Sequence, residues 1–272
     1  MNDEKKWGNY PPQKLHRLLM FLTELGLGRG LVKNLLIKIW RLTDHEGVVD
    51  IVYNDLKLRL FSSGSTLDSK ILFSSKIREN DEIDFLKSRL PSSSVMVDLG
   101  ANSGYYSLHA AKFGASKILA VEANLLLCNR INFHVHTNGF NSKVVTYNLA
   151  VGKANGSAKL ALQDGDQGSN FIIRDTNMIN PSFKEVEMMT LLSIVKKSGV
   201  NKINVLKIDI EGMEEDVLTS FFSNADKSLW PKSIIMETVK SNLWKSDLEE
   251  FLQELSYKII ARTRSNTMLD LV

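Results

Sequence analysis

The stretch Val95-Met96-Val97-Asp98-Leu99-Gly100-Ala101-Asn102-Ser103-Gly104 decides how the rest of the chain is read. An apolar run broken only by Asp98 gives way to a turn with two glycines, and Tyr105–Phe113 then follows with helical periodicity. The pattern is a buried strand, a glycine-rich turn and a helix. Such a turn lets a ligand approach the backbone closely, with free N–H groups at the helix start directed toward it. A second acid, Glu122, closes the next apolar run, 24 positions after Asp98. In doubly wound folds an acid at that point receives hydrogen bonds from ribose hydroxyls. Together the two signals describe a nucleoside site at the carboxyl ends of the strands.

The spacing also discriminates between nucleosides. A dinucleotide fingerprint reads G-x-G-x-x-G. Here the order is Asp98-x-Gly100-x-x-x-Gly104, with an aspartate where the first glycine would stand. An anion there repels a pyrophosphate at close range but suits a ligand carrying an ammonium and a sulfonium. S-adenosylmethionine presents both, so electrostatics favours the methyl donor.

Outward from this motif the chain alternates strand and helix. Strands are expected at 117–121, 144–149, 158–162, 186–189, 203–208 and 234–236, and helices at 125–137 and 248–255. Segments 257–261 and 267–271 read as a closing hairpin. This predicts an open, doubly wound, Rossmann-like α/β fold with a mostly parallel sheet and a C-terminal antiparallel hairpin. Before the motif, alternation at Val49, Ile51 and Tyr53 and at Leu56, Leu58 and Leu60, around Asn54-Asp55, predicts a β-hairpin over 48–61. A Ser-rich polar segment and a helix at 81–90 follow. Residues 164–181 read as a loop or irregular hairpin. The Asp164-Gly165-Asp166 opening suggests a calcium loop, but Gly168 and Ser169 stand where a ligand and the obligatory glycine belong.

Residues 1–45 read as a helical extension of a domain spanning 46–272. Leu15, Leu18, Leu19, Leu22 and Leu25 recur at helical spacing, Gly26 to Gly30 break the chain, and a second amphipathic helix follows with Lys33, Lys38 and Arg41 on its polar side. The expectation is a helical pair packed on the domain or on another copy in a homo-oligomer. A basic amphipathic surface making peripheral membrane contact is the sharper alternative. With 43% hydrophobic and 24% charged residues and a net charge of +3, the composition supports an ordinary core and argues against nucleic acid as partner. The single cysteine, Cys128, and the lack of a signal-like apolar run near the N-terminus lead to the expectation of a cytoplasmic protein.

Several motifs resemble the FkbM-type methyltransferases, a family within the class I methyltransferases, from about Val48 onward. These are Val97 to Ser107, Val121-Glu122-Ala123-Asn124, Asn148-Leu149-Ala150-Val151-Gly152 and Ile234-Ile235-Met236-Glu237, with Leu206-Lys207-Ile208-Asp209-Ile210-Glu211-Gly212-Met213-Glu214 the most distinctive. Where the family usually reads Thr-Leu-Asp, this chain has Thr190-Leu191-Leu192-Ser193, and Ser193 is a candidate helix cap. The resemblance implies S-adenosylmethionine bound through Asp98, Gly100, Asn102, Gly104, Tyr105, Glu122, Ala123, Asn124 and Ala150. It also implies O-methylation of a small-molecule or glycan hydroxyl.

A hydroxyl is a poor nucleophile, so a base or a metal that takes its proton would help. Asp209 at a strand end, Glu211 two residues on and Glu237 at the end of another strand are the candidates to orient the acceptor or act as base. A divalent cation held by the same three acids is a weaker reading, as is Glu211 capping the next helix. His109 reads as structural, and His134 and His136, two apart on a helix, face different ways. Two rival functions remain open: a nicotinamide-dependent oxidoreductase on the same fold, and a donor-binding partner without turnover.

Overall fold

Apolar runs too short for helices and too continuous for a half-exposed sheet become the strands of a buried parallel sheet. The computed structural model describes residues 5–27, 30–62, 65–73, 80–161, 171–172 and 183–272. In chain order it contains α1 (Lys14–Leu22), α2 (Gly30–Thr43), β1 (Val48–Tyr53), β2 (Leu56–Phe61), α3 (Thr66–Phe73), α4 (Asn80–Ser88), β3 (Val95–Leu99) and α5 (Tyr105–Phe113). Then come β4 (Lys117–Glu122), α6 (Leu125–Thr137), β5 (Val144–Asn148), β6 (Ala150–Val151), β7 (Gly156–Ala161), β8 (Phe171–Ile172) and β9 (Phe183–Met189). The chain ends with α7 (Leu191–Ser198), β10 (Val205–Ile208), α8 (Glu214–Asn224), β11 (Ser233–Glu237), α9 (Leu248–Glu254), β12 (Tyr257–Arg262) and β13 (Asn266–Leu271).

The main sheet runs β12-β13-β11-β10-β3-β4-β5. Strands β11, β10, β3, β4 and β5 are parallel, and β13 and β12 add antiparallel neighbours at one edge. From β3 the chain winds to β4 and β5, then returns past β3 to β10 and β11. The order therefore reverses between β3 and β10, and the crevice outside their carboxyl ends is where such sheets bind ligands. This is the expected doubly wound α/β fold.

Alternation assigns the two faces. Met96, Ile118, Ala120, Val205 and Ile235 pack with α4, α5, α6 and the β1–β2 hairpin. Val97, Leu99, Leu119, Leu206, Ile208 and Met236 pack with α7, α8 and α9. The N-terminal helices share the first of these cores through Leu19, Leu36 and Trp40, so the extension has no separate core.

Three expectations need correction. The strands at 158–162 and 186–189 do not join the main sheet. They become β7 and β9 of a second sheet, ordered β6-β9-β7-β8. Part of the Ser-rich segment is helical, as α3, which buries Ile71, Leu72 and Phe73 and sets Asp68, fully buried, against Arg130 of α6, with Nη2 to Oδ2 at 2.6 Å. Ser193 is not a helix cap. The Thr190 side chain caps α7 by accepting from the Ser193 N–H, and Asn155 donates to the Ser193 hydroxyl. The calcium-loop residues 164–169 lie outside the described residues. Among those described, no helix is long and apolar enough to cross a membrane.

Candidate active site

The crevice between β3 and β10 opens into a cavity of about 290 Å³. Gly100, Ala101, Asn102, Tyr105 and Tyr106 form one wall, and Val121, Glu122, Ala123, Leu149, Ala150 and Val151 a second. Lys207, Asp209, Ile210, Glu211, Met213 and Glu237 lie opposite, while α3 contributes Thr66, Leu67 and Lys70. Leu160 and Ile172 bring the second sheet to the rim.

Gly100 sets how closely the two halves approach. Its φ is +73°, and a Cβ there would meet the Asp209 carbonyl oxygen at 1.8 Å. The Asp209 N–H bonds the Leu99 carbonyl at 3.0 Å, so β3 and β10 stay joined to their last residue. The turn differs from expectation in one respect. Its N–H groups are not all directed at a ligand: those of Gly100 and Ala101 both reach the Val121 carbonyl, at 2.9 and 3.0 Å, and that of Gly104 reaches the Ala101 carbonyl. The turn lies against the end of β4, whose free carbonyl takes these donors first.

Glu122 faces this turn. Its Oε2 accepts the Asn102 N–H at 2.9 Å, and its Oε1 accepts the Asn124 N–H at 2.8 Å. Each carboxylate oxygen has a second lone pair, so two further donors can be accepted. Burial pushes the Glu122 carboxyl up to about 7, against the pull of these two N–H groups. Asn124 also caps α6, its side chain accepting from Leu126 N–H at 2.9 Å. Beneath this end of β4, Cys128 donates to the Glu122 carbonyl, and burial raises its thiol to about 12, so it is no thiolate nucleophile.

Opposite Glu122 lies a line of charge. Lys207 pairs in register with Asp98 on the neighbouring strand, and its Nζ is 2.9 Å from Asp209 Oδ2. Residues two apart on a strand share a face, which is why Lys207 and Asp209 meet. Burial opposes the Lys207 charge, but Asp209, Asp98 and Glu237 around it hold its ammonium above the usual range. Asp98 is fully buried and accepts from the Ser107 hydroxyl at 2.6 Å; burial raises its carboxyl despite Lys207. Burial, then the Asp209 charge, push the Glu237 carboxyl up to about 9, so it carries a proton at neutral pH. Glu211 is likewise raised by burial and by Asp209, while Lys240 Nζ stands 3.4 Å from its Oε2.

Glu211 has φ of +57° and Asn102 has φ of +53°, both in the left-handed region that non-glycine residues seldom occupy. The Glu211 loop is secured from behind by Glu214, which accepts from the Ile210 N–H at 2.9 Å, the Gly212 N–H at 3.2 Å and Trp244 Nε1 at 3.1 Å. Glu214, rather than Glu211, therefore ties this loop to the start of α8. Behind the glycine turn, His134 joins that turn to the β1–β2 hairpin. The Arg59 N–H donates to its Nε2 at 3.0 Å, which leaves Nδ1–H to donate to the Ser103 carbonyl at 3.0 Å. His136 is exposed, on a different side of α6. His109 is buried and its Nδ1 meets the Tyr105 carbonyl at 2.8 Å.

Of the residues expected at the site, Gly100, Asn102, Tyr105, Glu122, Ala123, Ala150, Asp209, Glu211 and Glu237 line one cavity. Asp98, Gly104 and Asn124 stand behind its wall. The sequence reading gave Lys207 and Glu214 no role. The signal was present for Lys207, a lysine inside the apolar strand Leu206-Lys207-Ile208. Thr66 and Lys70 left no such signal, because they reach the cavity only through the packing of α3. Among the described residues, no group of three or more His, Cys, Asp or Glu side chains is placed to hold a metal ion. The cation beside Asp209 is the chain's own Lys207.

Methyltransferase sdnD of Sordaria araneosa is 22% identical over 202 residues, spanning 62% of this chain and 76% of that protein. Among solved structures, M. capricolum TrmK in complex with S-adenosyl-homocysteine matches 70% of this chain and 67% of its own, with a TM-score of 0.42 and 12% identity. Trm5b from Pyrococcus abyssi matches 84% of this chain and 56% of its own, with a TM-score of 0.46 and 12% identity. The family model described as the methyltransferase FkbM domain matches residues 98–259, more than half of the chain, and the chain belongs to that family of S-adenosylmethionine-dependent methyltransferases.

Proposed function

We propose that this protein is an O-methyltransferase acting on a hydroxyl of a sugar, glycan or secondary metabolite. The observation that carries the reading is the facing arrangement of Glu122 on one wall and the Lys207–Asp209 pair with Glu211 and Glu237 on the other. The bound donor supplies a methyl group activated by its sulfonium. The open lone pairs of Glu122 suit a pair of ribose hydroxyls. The apolar wall of Val121, Leu149, Ala150 and Val151 suits a flat base, and the Gly100–Tyr105 turn leaves room for the methionine portion.

On the opposite wall Asp209 accepts the acceptor's O–H, aligns the oxygen and takes its proton as the new C–O bond forms and the methyl–sulfur bond breaks, its electron pair leaving with the neutral, demethylated thioether. Lys207 keeps Asp209 in one orientation. Its positive charge lies beside Asp98 and Asp209 and balances the two acids, and its ammonium, held above the usual range, is no nucleophile. Glu237, protonated at neutral pH, can donate a hydrogen bond to Asp209 or to the acceptor. Asp98 acts on the donor through Lys207 and through the fixed geometry of the turn, since its side chain does not reach the cavity wall.

The test is calorimetric titration with S-adenosylmethionine and its demethylated product, paired with transfer assays on a panel of hydroxyl and amine acceptors. Glu122→Ala should weaken donor binding by roughly 10- to 100-fold. Asp209→Asn should leave donor affinity nearly unchanged and slow transfer by about 100-fold or more. Methylation of amines with no hydroxyl product would remove the O-methyl assignment. Binding of NADH in place of the donor would remove the site assignment.

A further inference from the structure

The inner face of the N-terminal hairpin pins it to the molecule. His16 stacks on Trp40 with ring centroids 4.0 Å apart, and its Nε2 lies 3.1 Å from the Thr43 hydroxyl. Leu19, Leu36 and Trp40 are buried in the shared core. The outer face is apolar and open. Leu18, Phe21 and Leu25 follow one another at three- and four-residue spacing along α1 and the turn after it. Leu31, Leu35 and Leu42 form a second stripe on α2. Leu31 is 87% exposed and Leu25 64%, values far from those of a side chain covered by its own fold. Single exposed apolar residues are ordinary, but a contiguous group marks a contact surface.

The charge on the same segment says what covers it. Between residues 14 and 43 there are six lysines and arginines and one acid, Glu24. That segment therefore carries +5 in a chain whose total is +3. Lys14, Arg17, Lys38 and Arg41 are exposed beside the apolar stripes. In a two-fold contact with a second copy the same patch would meet itself, setting these cations against one another. An anionic lipid surface matches both properties, apolar side chains entering the acyl boundary and cations resting among headgroups. Beside α1 a recess of about 510 Å³, lined in part by Trp7, Pro11, Met20, Phe21 and Val52, offers space for an acyl chain.

We propose that the α1–α2 hairpin docks this protein on an anionic membrane surface, with the tip around Leu25, Leu27 and Leu31 entering the bilayer. The test is co-sedimentation of the full chain with vesicles of phosphatidylcholine alone and of phosphatidylcholine with phosphatidylglycerol, alongside light scattering for oligomeric state. Wild type should pellet with the anionic vesicles only, and less so at high salt. Leu25→Glu with Leu31→Glu, and separately Lys38→Glu with Arg41→Glu, should each lower the bound fraction about tenfold with an unchanged melting temperature. Leu27→Trp supplies a readout that needs no loss of binding, since its emission should shift to the blue on anionic vesicles. Protein left in the supernatant with both vesicle types would overturn the proposal. So would a wild-type dimer that the Leu25 and Leu31 changes dissolve, which would assign the surface to a second copy.

Discussion

At the scale of single residues the site is set by close approach and by buried charge. Gly100→Ala places a methyl group where the Asp209 carbonyl already stands, at a positive φ. The expected loss is about 3 kcal/mol from overpacking and left-handed strain together, read from the urea midpoint, with donor binding lost in parallel. A variant as stable as wild type would mean that the two strand ends separate easily. Glu122 makes donor binding depend on pH. Its carboxyl is raised to about 7 by burial, and the ionised form is the better acceptor for ribose hydroxyls. Affinity for the donor should therefore rise as pH increases through about 7. Titrations at pH 6 and pH 8 with equal affinity would remove Glu122 from donor recognition. Both residues were legible in the sequence, since a strand, a glycine turn and an acid at the next strand end are all local signals. Lys207 showed only as a lysine inside an apolar strand; its role did not, because its partners Asp98 and Glu237 come from other strands and meet it only in the folded sheet.

At the scale of elements the hairpin shows what local pattern can and cannot reveal. Alternation located β1 and β2 and their turn, and Asn54 and Asp55 both take the positive φ that such a turn requires. The burial of β1 did not show there: Val48, Val49, Asp50 and Ile51 are all buried, so both of its faces are covered over that stretch. The cover comes from residues far off in sequence. Asp50 Oδ2 accepts from the Gly8 and Tyr10 N–H groups, and Arg59, fully buried, pairs with Asp50 at 2.8 Å while donating to the carbonyls of Lys5 and Lys6. Asp50→Ala removes the buried carboxylate that pairs with the Arg59 guanidinium. It should cost about 3–5 kcal/mol in chemical denaturation, far more than loss of a surface pair. A loss below 1 kcal/mol would show that water reaches Arg59 there. The second sheet was missed for the same reason. β7 and β9 have the composition of strands, and nothing in their own residues tells one sheet from another.

At the scale of the whole molecule, buried titratable groups give stability an unusual dependence on pH. His109 and His134 are lowered to about 4 by burial, from 6.5, so between those values only the unfolded chain holds their protons. Glu122 and Glu237, raised to about 7 and about 9 from 4.5, hold protons in the folded chain that the unfolded chain has released. From pH 4.5 to 6.5 the lowered histidines work against the raised carboxyls, among them Asp98 and Glu211, so the two groups offset one another in part. Above 6.5 both histidines are neutral in either state, and the folded chain alone retains the extra protons, so stability falls as pH rises toward 9. Calorimetric melting temperatures should decline over that interval, and Glu237→Gln should flatten the upper part of the decline. A wild-type curve level from 6.5 to 9 would contradict the buried, protonated state of Glu237. The two left-handed residues at the cavity, Asn102 and Glu211, have a consequence for directed evolution. Glycine adopts their backbone conformation at little cost, so heat selection of a random library would enrich glycine at both positions. Survivors would be tougher proteins with part of the cavity wall erased, and screening must therefore reward turnover together with endurance.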